Sequence, residues 1–188
     1  MSANSSSSIK EEGILYESGL RHHRHAERLH RRRPGDQGSQ AVVPRIEAKI
    51  VASKKDTSVS TDLIFTQDTH GENYLDTQEG QKLPVPHCIK DTKGWNICRQ
   101  LLPYTLFATI LEKPTFGSTD LIAETAEYDR IVLMGVCTDI CVISNAMLLK
   151  AFYLEKEICV DAHAAPASRR KATARALEAM KMCQIDIL

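Results

Sequence analysis

Short apolar runs alternate with longer amphipathic stretches along this chain. Runs such as Leu63–Phe65 and Ile131–Val136 are bounded by polar residues, which is typical of strands buried on both faces of a sheet. The longer stretches repeat their apolar residues with a helical period and predict amphipathic helices. The predicted strands are residues 62–67, 106–111, 131–136, 157–160 and 184–188, and the predicted helices are residues 41–55, 120–127, 139–154 and 168–182.

Two of these helices have apolar faces that we expect to turn towards a sheet. Strands and helices that alternate at these lengths predict a mostly parallel sheet with helices on both faces, a three-layer αβα architecture of the α/β class. The expected inward faces consist of Val43, Ile46, Ile50 and Val51 in the helix over residues 41–55, and of Ile143, Met147 and Leu148 in the helix over residues 139–154.

Polar chemistry follows three of the predicted strands. Asp68 ends the first run, Lys113 follows the second, and a turn over Cys137–Cys141 follows the third. Sites in open parallel sheets lie beyond the carboxyl ends of the strands, so we expect these groups to converge at one edge. Such a convergence is what a catalytic site requires.

The segment from Ile131 to Val142 predicts a strand, a tight turn at Gly135, and a helix with a cysteine in its first turn. A thiolate at a helix N-terminus faces unpaired N–H groups and the positive end of the helix dipole, and both lower the pKa of the thiol. The pattern therefore suits a cysteine nucleophile. It suits small buried cysteines between a strand and a helix equally well, because free cysteines are often buried.

Two imidazoles and two carboxylates lie in or beside a long polar loop. Asp68 and His70 are two residues apart at a strand end and can project towards one point, to which the Pro-rich loop could return Glu79 and His87. This donor set suits a divalent transition metal such as zinc, iron or manganese. On spacing alone, the same residues also fit an ordinary polar surface loop.

Lys113 and the other cysteines are less specific. A lysine at a strand end could hold a nearby thiol as a thiolate, although a lone lysine is more commonly an exposed one. The remaining cysteines lack any reactive context and are interpreted as structural: Cys88, Cys98, Cys159 and Cys183.

Composition narrows the class of protein. The 188 residues suffice for one domain with a full core, and no apolar run is long enough to span a membrane. The formal net charge of +0 gives no reason to expect a nucleic-acid partner. Six cysteines without a short-range framework indicate reduced thiols in a cytoplasmic protein. The sequence leaves open whether the protein forms a homo-oligomer.

Taken together, four segments resemble the isochorismatase-like cysteine hydrolases, and within them the bacterial nicotinamidases. The resemblance covers residues 41–188 and implies a hydrolase of a small-molecule amide, with nicotinamide converted to nicotinate and ammonia in NAD salvage. A relative acting on another amide or carbamoyl substrate, or a non-catalytic member that only binds or assembles, stays open. The segments are FTQDTHGENYLDTQEGQKLPVPHC, EKPTFGSTDL, IVLMGVCTDICVISNAMLLKA and VDAHAA.

The resemblance also implies a role for each candidate residue. Cys141 is the nucleophile that forms a thioester, Lys113 stabilises its thiolate, and the backbone N–H groups of Cys137 and Cys141 form an oxyanion hole after a cis peptide bond. Zinc is the expected cofactor, with iron or manganese as alternatives, and the metal orients the pyridine ring. The implied ligands are Asp68, His70, Glu79 and His87.

The family also has a general base, an Asp at the end of its first strand, and no such motif precedes Ala41 here. Arg21–Arg33 instead reads RHHRHAERLHRRR, which by itself fits a disordered tail, a nucleic-acid arm or a metal-binding tract. Allowed codons for residues 21–39, read one base later, encode VIIDMQNDFIDGALGTKEA, and residues 16–20 can encode MKAAY. We therefore interpret residues 1–40 as an out-of-frame, disordered segment and residues 41–188 as the hydrolase domain.

Two expectations follow from this interpretation. The missing Asp falls at Arg24, so activity is expected to be impaired. Arginine and histidine cannot fill a strand buried on both faces without uncompensated charge, so the first central strand is expected to be lost or disrupted.

Overall fold

The computed structural model describes residues 11–18, 35–165 and 170–188. In this part of the chain, six strands form one parallel sheet in the order β3-β2-β1-β4-β5-β6. The strands are β1 (Glu11–Ser18), β2 (Ser60–Asp68), β3 (Ala108–Lys113), β4 (Arg130–Gly135), β5 (Glu157–Val160) and β6 (Asp186–Ile187), and the helices are α1 (Gly35–Lys55), α2 (Gln78–Lys82), α3 (Asp120–Glu124), α4 (Ile143–Phe152) and α5 (Arg170–Met182).

Helices cover both faces of the sheet, which confirms the predicted three-layer α/β fold. On one face, Ile46 and Ile50 of α1 pack in a cluster with Phe65 of β2. On the other, Leu149 of α4 packs in a cluster with Ile64 of β2, together with residues of α3 and α5. Neighbouring residues of β2 therefore point to opposite layers, as a strand buried on both faces requires. No helix within the described ranges is long and apolar enough to cross a membrane.

The centre of the sheet differs from expectation. The first central strand is not lost, because Glu11–Ser18 lie between β2 and β4 and pair with both. This segment contains the apolar run Ile14-Leu15-Tyr16, which suits a strand inside a sheet. Its backbone N–H and C=O groups pair with those of both neighbouring strands. The tract Arg21–Arg33, where loss of a strand was expected, lies outside the described residues.

The expectation of a disordered segment over residues 1–40 also fails for two parts of it. Glu11–Ser18 form β1, and α1 begins at Gly35 rather than at Ala41. Gly13 of β1 leaves room for the Tyr128 side chain, since a Cβ added at Gly13 would lie 2.9 Å from the Tyr128 ring. Whether the family domain begins near residue 41 stays a prediction.

Val43, Ile46 and Ile50 of α1 are buried as predicted, whereas Val51 and the predicted inward residues of α4 differ from expectation. Val51 of α1 is 38% exposed, because it lies about 100° around the helix from the buried Ile50. In α4 the predicted Ile143, Met147 and Leu148 are only half-buried. A π-helical turn over Thr138–Val142 precedes α4, and its wider winding shifts the helical register. The buried positions there are Val142, Asn145, Ala146 and Leu149.

The buried thiol of Cys159 on β5 predicts a loss of stability at alkaline pH. Burial raises its pKa from 9.0 to about 11, so the folded protein holds the proton more tightly than the unfolded chain. The resulting stabilisation is complete below about pH 9 and is lost as the pH rises towards 11. We expect the free energy of unfolding, measured by urea titration, to fall across this window.

Two cysteine variants test that origin of the pH dependence. Cys159→Ala should flatten the fall in unfolding free energy, whereas Cys183→Ala removes an exposed thiol and should leave the slope unchanged. Identical slopes in the two variants would show that other groups cause the alkaline loss.

Candidate active site

Two charged residues face each other at the carboxyl edge of the sheet. Asp68 and Lys113 are the last residues of β2 and β3 and are register partners. The Lys113 side chain is fully buried, and its ammonium group donates to Asp68 Oδ1 and, at 3.1 Å, to the Thr115 carbonyl. A buried ammonium requires such a counter-charge, so Asp68 allows Lys113 to be buried at this edge of the sheet.

A group of three potential metal ligands lies just beyond the end of β2. The donor atoms of His70, Glu79 and His87 all lie within 4.8 Å of one another. Glu79 Oε1 is 3.9 Å from His70 Nε2 and 3.5 Å from His87 Nε2. Two imidazoles and a carboxylate are the ligand types that zinc, iron and manganese accept in proteins, so the donor set fits the predicted cofactor.

Local backbone interactions bring these residues together. His70 N–H donates to the Cys88 carbonyl, and Lys90 N–H donates to the His70 carbonyl, both at 2.9 Å. This short parallel bridge fixes the segment after His87 alongside the end of β2. Glu79 is presented by α2, whose first turn is capped by the Thr77 hydroxyl accepting from Gly80 N–H at 3.0 Å.

The tautomer of His87 is fixed by the backbone. Its Nδ1 lies 2.9 Å from the Val85 carbonyl, which can only accept, so Nδ1 carries the proton. The lone pair of Nε2 is then directed to the side of Glu79. An orienting carbonyl of this kind is a common outer partner of metal-bound histidines.

The turn over Cys137–Cys141 follows β4 at the same edge of the sheet. The peptide bond between Val136 and Cys137 is cis, as the family resemblance predicted. Gly135 has φ 118°, which a side chain would disfavour, and its N–H donates to the Ala164 carbonyl at 2.8 Å. Cys141 lies in the π-helical turn and is 5% exposed.

The structure brings together three of the four predicted metal ligands. Asp68 is not part of the group formed by His70, Glu79 and His87 and is engaged by Lys113 instead. Lys113 was expected to act on the Cys141 thiol, and its ammonium group donates to Asp68 and to the Thr115 carbonyl. The roles of Asp68, Lys113, Cys137 and Cys141 therefore stay predictions.

The four cysteines interpreted as structural divide into two groups. Cys88, Cys98 and Cys159 are buried, and burial raises the pKa of the Cys98 and Cys159 thiols, which makes them unreactive at neutral pH. Cys183 is exposed on the surface after α5.

Sequence reasoning missed two aromatic residues of this region. Trp95 Nε1 donates to Thr69 Oγ1 at 2.8 Å, and the Trp95 carbonyl accepts from Gln67 Nε2 at 2.7 Å, so the following loop is fastened to the end of β2. Tyr74 is buried against both imidazoles. The available signal was that Tyr74 is the one Phe, Trp or Tyr between Phe65 and Trp95 in an otherwise polar stretch.

Comparison with known proteins gives a consistent result. Residues 23–188 match the sequence model of the isochorismatase domain. No curated protein matches the chain. A solved isochorismatase-like hydrolase from Alkaliphilus metalliredigens has a TM-score of 0.73 at 17% identity, over 94% of this chain and 93% of that one.

Two amidase structures are similarly close. A pyrazinamidase/nicotinamidase from Streptococcus mutans has a TM-score of 0.71 at 22% identity, over 94% of this chain and 99% of that one. A pyrazinamidase from Pyrococcus horikoshii, solved with zinc, has a TM-score of 0.67 at 20% identity, over 94% and 98%. At these identities, the likeness to the solved structures establishes the fold.

Proposed function

The chain belongs to the isochorismatase family, and on that premise we propose that it is a metal-assisted cysteine amidohydrolase acting on nicotinamide. The observation that carries the proposal is the group formed by His70, Glu79 and His87 at the sheet edge that also holds the Cys137–Cys141 turn. A site of this composition can orient a heteroaromatic ring and attack its carboxamide. The products would be nicotinate and ammonia, which is the chemistry of NAD salvage in the cytoplasm.

Cys141 is the proposed nucleophile. Its thiolate attacks the carboxamide carbon and forms a C–S bond, while the N–H groups of Cys137 and Cys141 donate to the developing oxyanion. The C–N bond then breaks, and ammonia leaves with the proton released by the thiol. Water adds to the thioester, the C–S bond breaks, and nicotinate and the free thiol are released.

Lys113 and Asp68 set the charge around that thiol. A buried ammonium favours an anionic sulfur through its positive charge, and the Asp68 carboxylate supplies the counter-charge that the buried ammonium requires. Asp68 is retained as a fourth candidate ligand, since a carboxylate has two oxygens and only Oδ1 is engaged by Lys113 in the pair described.

His70, Glu79 and His87 would hold the metal, with Asp68 as the predicted fourth ligand. When bound, the ion supplies a Lewis acid for the pyridine nitrogen. Zinc suits the two imidazoles best, with iron or manganese as alternatives. The residues of this chain contribute the orientation, because the His87 tautomer and the Glu79 helix are fixed by hydrogen bonds of the protein itself.

No residue of this chain is assigned as the general base. We propose that residues 1–40 are translated out of frame and that the family's Asp is absent for that reason, with activity impaired accordingly. General-base catalysis is worth roughly 10²–10⁴ in rate, so the protein as it stands should be slow rather than inert.

A metal measurement tests the ligand assignment. We expect purified protein to carry a divalent ion and His70→Ala to lose it, because the substitution removes one of the two imidazoles of the group. The matched control is His163→Ala, which removes an exposed imidazole in the loop that follows β5. Elemental analysis that finds the same metal content in the two variants would refute the assignment.

A further inference from the structure

Tyr74 is one of the largest fully buried side chains of the described structure, and its ring packs against both proposed imidazole ligands. Its ring centroid is 4.9 Å from that of His70, at an interplanar angle of 58°, and 5.0 Å from that of His87, at 76°. The two imidazoles are themselves 4.9 Å apart at 68°. The three rings therefore form a closed triangle of tilted, edge-to-face contacts, which are geometries that aromatic rings favour.

The Tyr74 side chain is anchored at its far end. Its hydroxyl donates to the Leu83 carbonyl at 3.0 Å, on the segment that leads to His87. This bond satisfies the hydrogen-bonding requirement of the buried phenol, while the ring itself is held by its packing against the imidazoles.

The backbone of Tyr74 is joined to the helix that carries the third ligand. The Tyr74 carbonyl accepts from Thr77 N–H at 3.0 Å and from Thr77 Oγ1 at 2.7 Å, and Thr77 caps α2 just before Glu79. Gly80 of α2 lies so close that an added Cβ would be 1.9 Å from the Tyr74 carbonyl oxygen. Only glycine allows this approach, so the helix that carries Glu79 packs directly on the backbone at Tyr74.

We infer that Tyr74 is a positioning residue that preorganises His70, Glu79 and His87 for metal binding. It contacts both imidazoles with its ring and supports the carboxylate through the backbone. A rigid donor set binds a metal more tightly than a loose one, because less conformational freedom is lost when the ion enters. The inference rests on the proposed metal site and assigns the residue that holds it in shape.

The test compares metal binding by Tyr74→Leu, which removes the ring, with Tyr74→Phe, which keeps it. Zinc affinity is measured by chelator competition, and the visible absorption spectrum of the cobalt(II)-loaded protein reports ligand geometry. Tyr74→Leu should bind zinc roughly 10–100-fold more weakly, the range for outer partners of metal ligands, with an altered cobalt spectrum. Tyr74→Phe keeps the ring and loses only the hydrogen bond to the Leu83 carbonyl. It should therefore retain the wild-type spectrum and bind zinc within a few-fold of the wild-type affinity.

Loss of stability alone is controlled with Leu121→Ala, which opens a cavity in the core cluster that contains Leu149 of α4 and none of the proposed metal ligands. It should lower the unfolding free energy but leave zinc affinity and the cobalt spectrum unchanged. Gly80→Ala, which forces α2 away from Tyr74, should weaken zinc binding as well and carries the test if Tyr74→Leu does not fold. Wild-type affinity in Tyr74→Leu or in Gly80→Ala overturns the inference, whereas a wild-type protein that binds neither zinc nor cobalt overturns the proposed metal site itself.

Discussion

Exchange of residues 16–39 for MKAAYVIIDMQNDFIDGALGTKEA, with the upstream residues removed, is expected to raise the rate of ammonia release from nicotinamide by roughly 10²–10⁴. The exchanged segment supplies the Asp that would accept the proton of Cys141. It also supplies a strand, VIIDM, whose first three residues are apolar, for the central position that Glu11–Ser18 hold in the present chain. A gain beyond this range would indicate that the exchange also improves packing of the sheet.

Ammonia release by both proteins is compared at equal concentrations of folded protein. The matched control is the exchanged protein with Asn in place of the Asp of its DMQ triplet, which keeps the strand and removes the base. If the control remains fast, the gain comes from packing alone. Equal rates for the original and the exchanged protein would mean that the Asp is dispensable, and the account of residues 1–40 would then be wrong.

Cys141→Ala in the exchanged background is expected to abolish ammonia release, because no thioester can form without the sulfur. Cys141 is the cysteine of the π-helical turn that follows β4. In the exchanged protein with Cys141 intact, a nicotinoyl adduct on the Cys141 sulfur should also be detectable by mass spectrometry of the intact protein after rapid quenching.

Cys183→Ala is the matched control, since it removes a thiol that is exposed and remote in sequence from the turn. It should preserve both the rate and the adduct. Residual activity of Cys141→Ala equal to that of Cys183→Ala would show that hydrolysis proceeds by direct attack of water, and Cys141 would then be a packing residue.

Much of the sheet could be predicted because β2, β4 and β5 each contain an uninterrupted apolar run at their centre or end. Runs such as Ile131–Met134 are buried on both faces and have no plausible alternative structure. β1 was missed for the opposite reason. Its apolar triplet Ile14–Tyr16 is flanked by Glu11, Glu12 and Glu17, and only the tertiary pairing with β2 and β4 makes a strand of it.

The candidate site shows the same division between local and distant information. The pairing of His70 with His87 followed from the family resemblance, and the structure brings them together with Glu79. That Asp68 would be engaged by Lys113 depends on the register of β2 against β3, which no local pattern encodes. The supporting position of Tyr74 depends likewise on how the polar loop folds back on itself.

The strand order also has a consequence for synthesis on the ribosome. β1 is made first, yet it pairs on one side with Ser60–Gln67 and on the other with Arg130–Gly135. While translation proceeds from the N-terminus, Ile14 and Leu15 must therefore remain without one of their two neighbouring strands until most of the chain has emerged. Nascent chains that wait for such distant partners fold slowly and expose unpaired strand edges to aggregation. We expect the yield of soluble protein to depend more on chaperone supply and growth temperature than the size of the finished domain would suggest.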